Sequence, residues 1–318
     1  MADMVFSGVT FSGGYSISSP PPPLPSTQAI FGYGSTAAGS TQVSITNLVS
    51  STGVVATDTT GVGTARDGLA AASYGGNKAI FGYGAAGSYP GLSLTNLVST
   101  AGVVATDTTG VGTARQILAA AGYGTDKAIF GYGYTGFAGY QSVTNKVSNA
   151  GVVATDTTGV GTTRYALAAA GYGTDKAIFG YGYSGAYQSV TNLVSNTGVV
   201  ASDTTGVGTA RYAPSATGYG TDKAIFGYGQ NSSGTKVSVT NLVSNTGVVA
   251  TDTTGVGTAR LNLAATSYGS SGQAIFGYGD SGTATAITNL VSNTGVVATN
   301  TTGVGTARAS LAAASFTG

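Results

Sequence analysis

Aspartate is the only acidic residue in this chain: its 318 residues include eleven Asp and no Glu, His or Cys. Five of the aspartates, Asp58, Asp107, Asp156, Asp203 and Asp252, recur at one place in the motif Ala-Thr/Ser-Asp-Thr-Thr-Gly, and Asn300 takes the sixth place. Six arginines, Arg66, Arg115, Arg164, Arg211, Arg260 and Arg308, close the motif Gly-Val-Gly-Thr-Ala/Thr-Arg. Repeated carboxylates offer oxygen ligands to a hard cation such as Ca²⁺. Repeated guanidiniums offer an anion site. The plainer chemistry is structural. Asn caps a turn as well as Asp does, so Asn300 favours turn capping over metal binding. The arginines are expected to bond main-chain carbonyls, or the aspartate eight residues before each, as a structural ring that locks neighbouring repeats.

Without His or Glu, the commonest general base and the Ser-His-Asp arrangement are ruled out. Without Cys or His, so are zinc and most transition-metal sites. The chain is read as a non-enzyme with no catalytic residues, no metal and no cofactor. Gly-Tyr-Gly and Gly-Val-Gly are not phosphate loops, because no Lys-Ser/Thr pair and no helix follows them. Lys78, Lys127, Lys176 and Lys223 precede the string AIFGYG and read as solvated strand ends. Asp126, Asp175 and Asp222 stand before three of them, in a turn.

These residues are placed by a repeat. AIFGYG begins at Ala29, Ala79, Ala128, Ala177, Ala224 and Ala274, each time followed by a near-copy of TNLVSNTGVVATDTTGVGTAR. A period of this size marks a solenoid, a propeller or an array, whose units bury a core only by stacking. In the fourth copy, Leu167–Gly171 is a short apolar strand, 172–175 a turn and Lys176–Tyr181 a second strand. Gln188–Ser195 is a β-branched third strand, Asn196-Thr197-Gly198 a turn and Val199–Thr204 a fourth strand. No helical periodicity appears. Four short strands per unit predict one propeller blade. The ends decide between a closed ring and an open solenoid. Leu311–Ser315 is a first strand with no second after it, and Gln28 opens a second strand with no first before it. Pairing them closes six four-stranded antiparallel blades into an all-β propeller, with the last strand completing the first blade and no open edge left. The Ala-rich strand is expected innermost, where space is tightest, with Ile178, Phe179 and Tyr181 one strand out between blades.

The order Arg164, LAAAG, YGTD, KAIFGYG, variable loop, SVTNLVS, Arg211 resembles a kelch-type propeller repeat over residues 28–318. Gly180-Tyr181-Gly182 replaces the kelch Gly doublet, and the kelch Trp is missing. The resemblance implies the fold; kelch propellers serve as enzymes and as binding modules alike. The likeness among the copies and the neutral Gly/Ser/Thr-rich surface also resemble structural proteins of tailed bacteriophages.

Function is expected where the copies diverge. They differ between FGYG and the third strand and just after each Arg, and antiparallel connectivity brings both stretches to one side. Tyr89, Tyr134, Phe137, Tyr140, Tyr165, Tyr183, Tyr187 and Tyr212 fall in those stretches, and exposed Tyr is a rigid contact surface for sugars or proteins. The net charge of +1, with no basic run, argues against nucleic acid, and no apolar run is long enough for a membrane span. Residues 1–27 carry a β-prone stretch and a proline run (Pro20–Pro23 and Pro25), expected to act as anchor and stalk. The start lacks the basic and apolar parts of a secretory leader. The expected role is a virion component, a tail fibre, spike or capsid decoration. It would bind other virion proteins through residues 1–27 and a host-surface glycan or protein through the variable side, with a homo-oligomer compatible. The alternative is a bacterial cell-surface lectin or adhesin.

Overall fold

The computed structural model describes residues 27–36, 41–87, 91–136 and 139–318. The expected anchor lies outside them, apart from Thr27, which already belongs to the first strand. The described chain is all β, with no helix; none is therefore long and apolar enough to cross a membrane. It forms six three-stranded antiparallel sheets and one two-stranded pair.

Each sheet has the same order. The AIFG strand is in the middle (Thr27–Gly32, Lys78–Gly82, Lys127–Tyr134, Lys176–Gly180, Lys223–Gly227 and Gln273–Gly277). On one side runs the Ala-rich strand (Ala70–Tyr74, Ala119–Tyr123, Ala168–Tyr172, Ser215–Tyr219, Ala264–Tyr268 and Ala312–Thr317). On the other runs the Thr-Asn-Leu-Val strand, such as Thr191–Val194. The first sheet takes its Ala-rich strand from the far end of the chain: Gln28 pairs with Phe316, Ile30 with Ala314 and Gly32 with Ala312.

Four strands per unit are not formed. After Thr191–Val194 the chain touches that strand only through isolated bridges, Val194 to Val200 and Thr191 to Thr204. The reason is a side chain. The Asn192 amide donates to the Ala201 carbonyl at 3.0 Å, taking an acceptor that a backbone rung would use. The segment is thereby shifted by one residue between its two bridges, and the same Asn does this in all six repeats.

The middle strands are apolar along their length because both of their faces are covered. Ala168, Ala170, Tyr172, Ile178 and Tyr181 of the fourth sheet pack with Ala224, Phe226 and Val243 of the fifth. Ala264, Tyr268, Ile275 and Tyr278 of the sixth pack with Ala29, Phe31 and Val49 of the first. Gly180 is required at such a seam, since a Cβ there would lie 2.8 Å from the Phe226 ring.

The Ala-rich strands adjoin one another in sequence order, and Ala312–Thr317 lies between Ala264–Tyr268 and Ala70–Tyr74. They surround a cavity of about 440 Å³ lined by Ala71, Ala120, Ala169, Ala216, Ala265 and Ala313. Small side chains are what six converging strands leave room for. The cavity continues to the turns at Gly76, Thr125, Thr174 and Thr221, and Thr27 joins its wall there.

At the other end of these strands, one residue from each repeat joins a cycle of backbone hydrogen bonds. Ile117 N–H donates to Gly68 O, Ala166 to Ile117, Ala213 to Ala166, Asn262 to Ala213, Ser310 to Asn262, and Gly68 to Ser310, at 2.6–3.3 Å. All six residues sit at positive φ, from 49° at Ala213 to 60° at Gly68. That conformation is costly for Ile117, which is β-branched, and it is held because every member satisfies its neighbour.

Candidate functional site

The arginines are structural. Arg164 is wholly buried. Its Nε donates to Tyr181 O at 3.0 Å, Nη1 to Thr162 O at 3.0 Å and Nη2 to Asn192 Oδ1 at 2.5 Å. Its Cζ sits 4.4 Å from the centre of the Tyr132 ring. Tyr132 is in the third repeat, and Tyr181 and Asn192 are in the fourth, so one guanidinium fills the seam between two sheets. Arg66, Arg115 and Arg260 repeat the set. Arg211 and Arg308 keep the asparagine and ring contacts. None of the six lines the cavity, so they form no anion site at its mouth.

The tyrosine under each guanidinium is itself unusual. Tyr181 is buried at φ 65°, and its hydroxyl donates to Val207 O at 3.1 Å. Burial pushes its phenol up to about 12, so it stays a donor.

The aspartate partner differs from the sequence expectation. Arg164 faces Asp203, 3.8 Å away in the following repeat, whereas Asp156, eight residues before Arg164, faces Arg115 at 4.0 Å. Side-by-side sheets bring the next repeat's outer segment to the arginine; the chain's own preceding segment lies one seam back. Asp203 accepts the Thr162 N–H at 3.2 and 3.1 Å, the Thr162 hydroxyl at 2.5 Å and the Asn192 amide at 2.8 Å. Partial burial pushes its carboxyl up, but the bonds from Thr162 and Asn192, with Arg164, outweigh this and hold it below the usual range. Asn300 takes the same post for Thr258, accepting the N–H at 3.0 Å and donating to the hydroxyl at 2.7 Å. The repeated Asp is thus a staple between repeats, and among the described residues no three carboxylates gather. Lys127, Lys176 and Lys223 pair with Asp126, Asp175 and Asp222 at 2.7, 3.0 and 3.1 Å, half-exposed at the strand ends.

The variable stretches do meet. The residue after each Arg bridges to the residue after FGYG: Asp67 to Ala85, Gln116 to Tyr134, Tyr165 to Tyr183, Leu261 to Asp280 and Ala309 to Ser35. Tyr212 pairs with Gln230 in the two-stranded sheet. Six tyrosines from three repeats form one connected aromatic cluster there. Tyr140 stacks on Tyr165 with centroids 5.1 Å apart and planes at 20°, and Tyr134 flanks both at 5.9 and 5.5 Å. Tyr183 stands edge-on to Tyr165 at 5.8 Å and to Tyr187 at 5.6 Å, and Tyr212 is edge-on to Tyr165 at 5.7 Å. All six rings are half-buried. Burial raises the Tyr165 phenol, and Tyr212 and Tyr140 raise it further, so it remains neutral. Tyr89 and Phe137 fall outside the described residues.

No model of a known protein family matches the chain, and no curated protein matches it.

The sequence reading missed the glutamines around this cluster. Gln188 Nε2 donates to Ser184 Oγ at 2.7 Å and to Ala186 O at 3.2 Å, and Gln230 Oε1 accepts the Tyr187 hydroxyl at 3.2 Å. Gln141 Nε2 reaches Gly139 O at 3.2 Å. Their only signal was residence in the variable stretches, which also hold uninformative Ser and Gly.

Proposed function

We propose that the six sheets are the blades of a closed, kelch-like β-propeller, and that the protein is a non-enzymatic structural and binding module of a phage virion. In this reading it is a tail fibre, spike or decoration protein, held by residues 1–27 and presenting the tyrosine cluster to a receptor. The cluster carries the proposal: six rings dispersed from Tyr134 to Tyr212 converge, while the opposite ends of the strands carry near-identical turns. Divergent side chains gathered on a repeated frame are the usual arrangement of a recognition surface.

Strand direction supports the attachment. Thr27 starts a middle strand, and middle strands run from the turn side towards the tyrosine side. Thr27 itself therefore lies on the side away from the rings. Purified particles should contain the protein, and deletion of residues 1–25 should release it in folded form. Absence from particles would overturn the virion role.

A further inference from the structure

Among the described residues, the proposed binding side lacks an available positive charge, and that limits what it can hold. All six arginines are buried; Arg66, Arg115, Arg164 and Arg260 turn their donors to carbonyls and an asparagine, and Arg211 and Arg308 keep the asparagine bond. Lys236 reaches this side but is paired with Asp280 at 3.1 Å. Lys78, Lys127, Lys176 and Lys223 stand at the other ends of the strands, and Lys146 donates to Thr197 O at 3.1 Å. A carboxylate, sulfate or phosphate on a ligand would lose its hydration here without a counter-charge. What the cluster offers is π-faces, neutral tyrosine hydroxyls that donate as well as accept, and an amide acceptor, with no cation beside them. Both amide hydrogens of Gln188 go to its own loop, leaving Oε1 as the group to be satisfied.

We infer, granting the binding face proposed above, that its ligand is an uncharged saccharide. It would lie with the C–H face of its pyranose rings on Tyr140, Tyr165 and Tyr183 and donate a hydroxyl to Gln188 Oε1. A pyranose matches both features, since it has an apolar face and a rim of neutral donors. A protein epitope matches less well. Energetically dominant contacts between proteins favour Trp and Arg beside Tyr, whereas this chain has no Trp and its six arginines are all buried. The connected rings span three repeats, which suits an extended chain of sugars better than a single one.

The test is binding of the full chain to neutral polysaccharides (dextran, mannan, galactan) and acidic ones (polysialic acid, alginate), each over a range of salt concentration. At least one neutral polymer should bind, with little salt dependence. Tyr140→Ala and Gln188→Leu, each checked for an unchanged melting temperature, should weaken binding roughly tenfold and several-fold. Binding confined to acidic polymers, or binding that falls steeply with salt, would overturn the inference and leave the face intact. Neutral binding unaffected by both substitutions would instead remove the face itself. Binding to no polymer also overturns the inference; the face would then be judged by whether Tyr140→Ala particles still adsorb to cells.

Discussion

Asp58 accepts both the backbone N–H and the hydroxyl of Thr306, 248 residues further along the chain. The same three bonds tie Asp203 to Thr162. With Phe31 edge-on to Tyr278 at 5.1 Å and Arg308 over Tyr278 at 4.4 Å, the last and first repeats meet as any two neighbours do.

If this closure holds the molecule together, removing Ala312–Thr317 should cost far more than six residues of packing. It strips one partner from Thr27–Gly32 and exposes an apolar edge. The truncated chain is expected to melt well below the intact one and to aggregate during size-exclusion chromatography. An unchanged melting temperature would show that closure contributes little.

Arg164→Ala should destabilise the fold by about 3 kcal/mol or more, because Tyr181 O, Thr162 O and Asn192 Oδ1 lose buried donors together. Arg164→Lys should recover only part of this, since an ammonium cannot serve three diverging acceptors and also cover a ring. Denaturant titration of both variants measures the difference.

Asp203→Asn should cost under about 1 kcal/mol, because Asn300 already does this work in the sixth repeat. Asp203→Ala leaves the Thr162 N–H and the Asn192 amide without this acceptor and should cost about 1–3 kcal/mol. Equal losses in the two variants would refute the staple.

The pH profile follows from the same aspartates. Asp58, Asp107, Asp156, Asp203 and Asp252 are all held below the ordinary carboxylate range in the fold. A depressed folded value stabilises above the unfolded value of about 3.9, and that contribution is lost as pH falls through the folded value. From these five, stability should be level between about pH 8 and pH 5, where the absent His would otherwise titrate, and should fall below about pH 4, with Asp67, whose carboxyl burial pushes up, acting in the opposite sense. Changing all five to Asn should flatten the acid limb only in part, since Asp126, Asp175 and Asp222 are also held low by their neighbouring lysines.

Tyr181→Phe removes the donor to Val207 O inside a seam and should cost about 1 kcal/mol while leaving the ring under Arg211. Thermal unfolding of this variant beside Arg211→Met separates the hydroxyl from the cation–ring contact.

Much of this architecture was legible because repetition speaks for position. The half-units at Gln28 and Leu311 announced their pairing, and small Ala announced which strands adjoin one another. The fourth strand was misread because β-branched residues in Val199–Thr204 look the same whether their carbonyls meet backbone or the Asn192 side chain. The carbonyl partners expected for Arg164 are present, but the aspartate beside it is Asp203 and not Asp156, because sequence distance is visible and lateral order is not. Convergence of the tyrosines followed from antiparallel connectivity. The stacking of Tyr140 on Tyr165 did not, since it depends on the loop that carries Tyr140 continuing as strand through Tyr140–Val147.

Thr27 and Thr317 face each other across one strand pair, where other repeats have a short turn between the same two strands. A brief linker joining these positions, with a new break placed in any variable loop, would give a circular permutant whose every seam is already present in the parent.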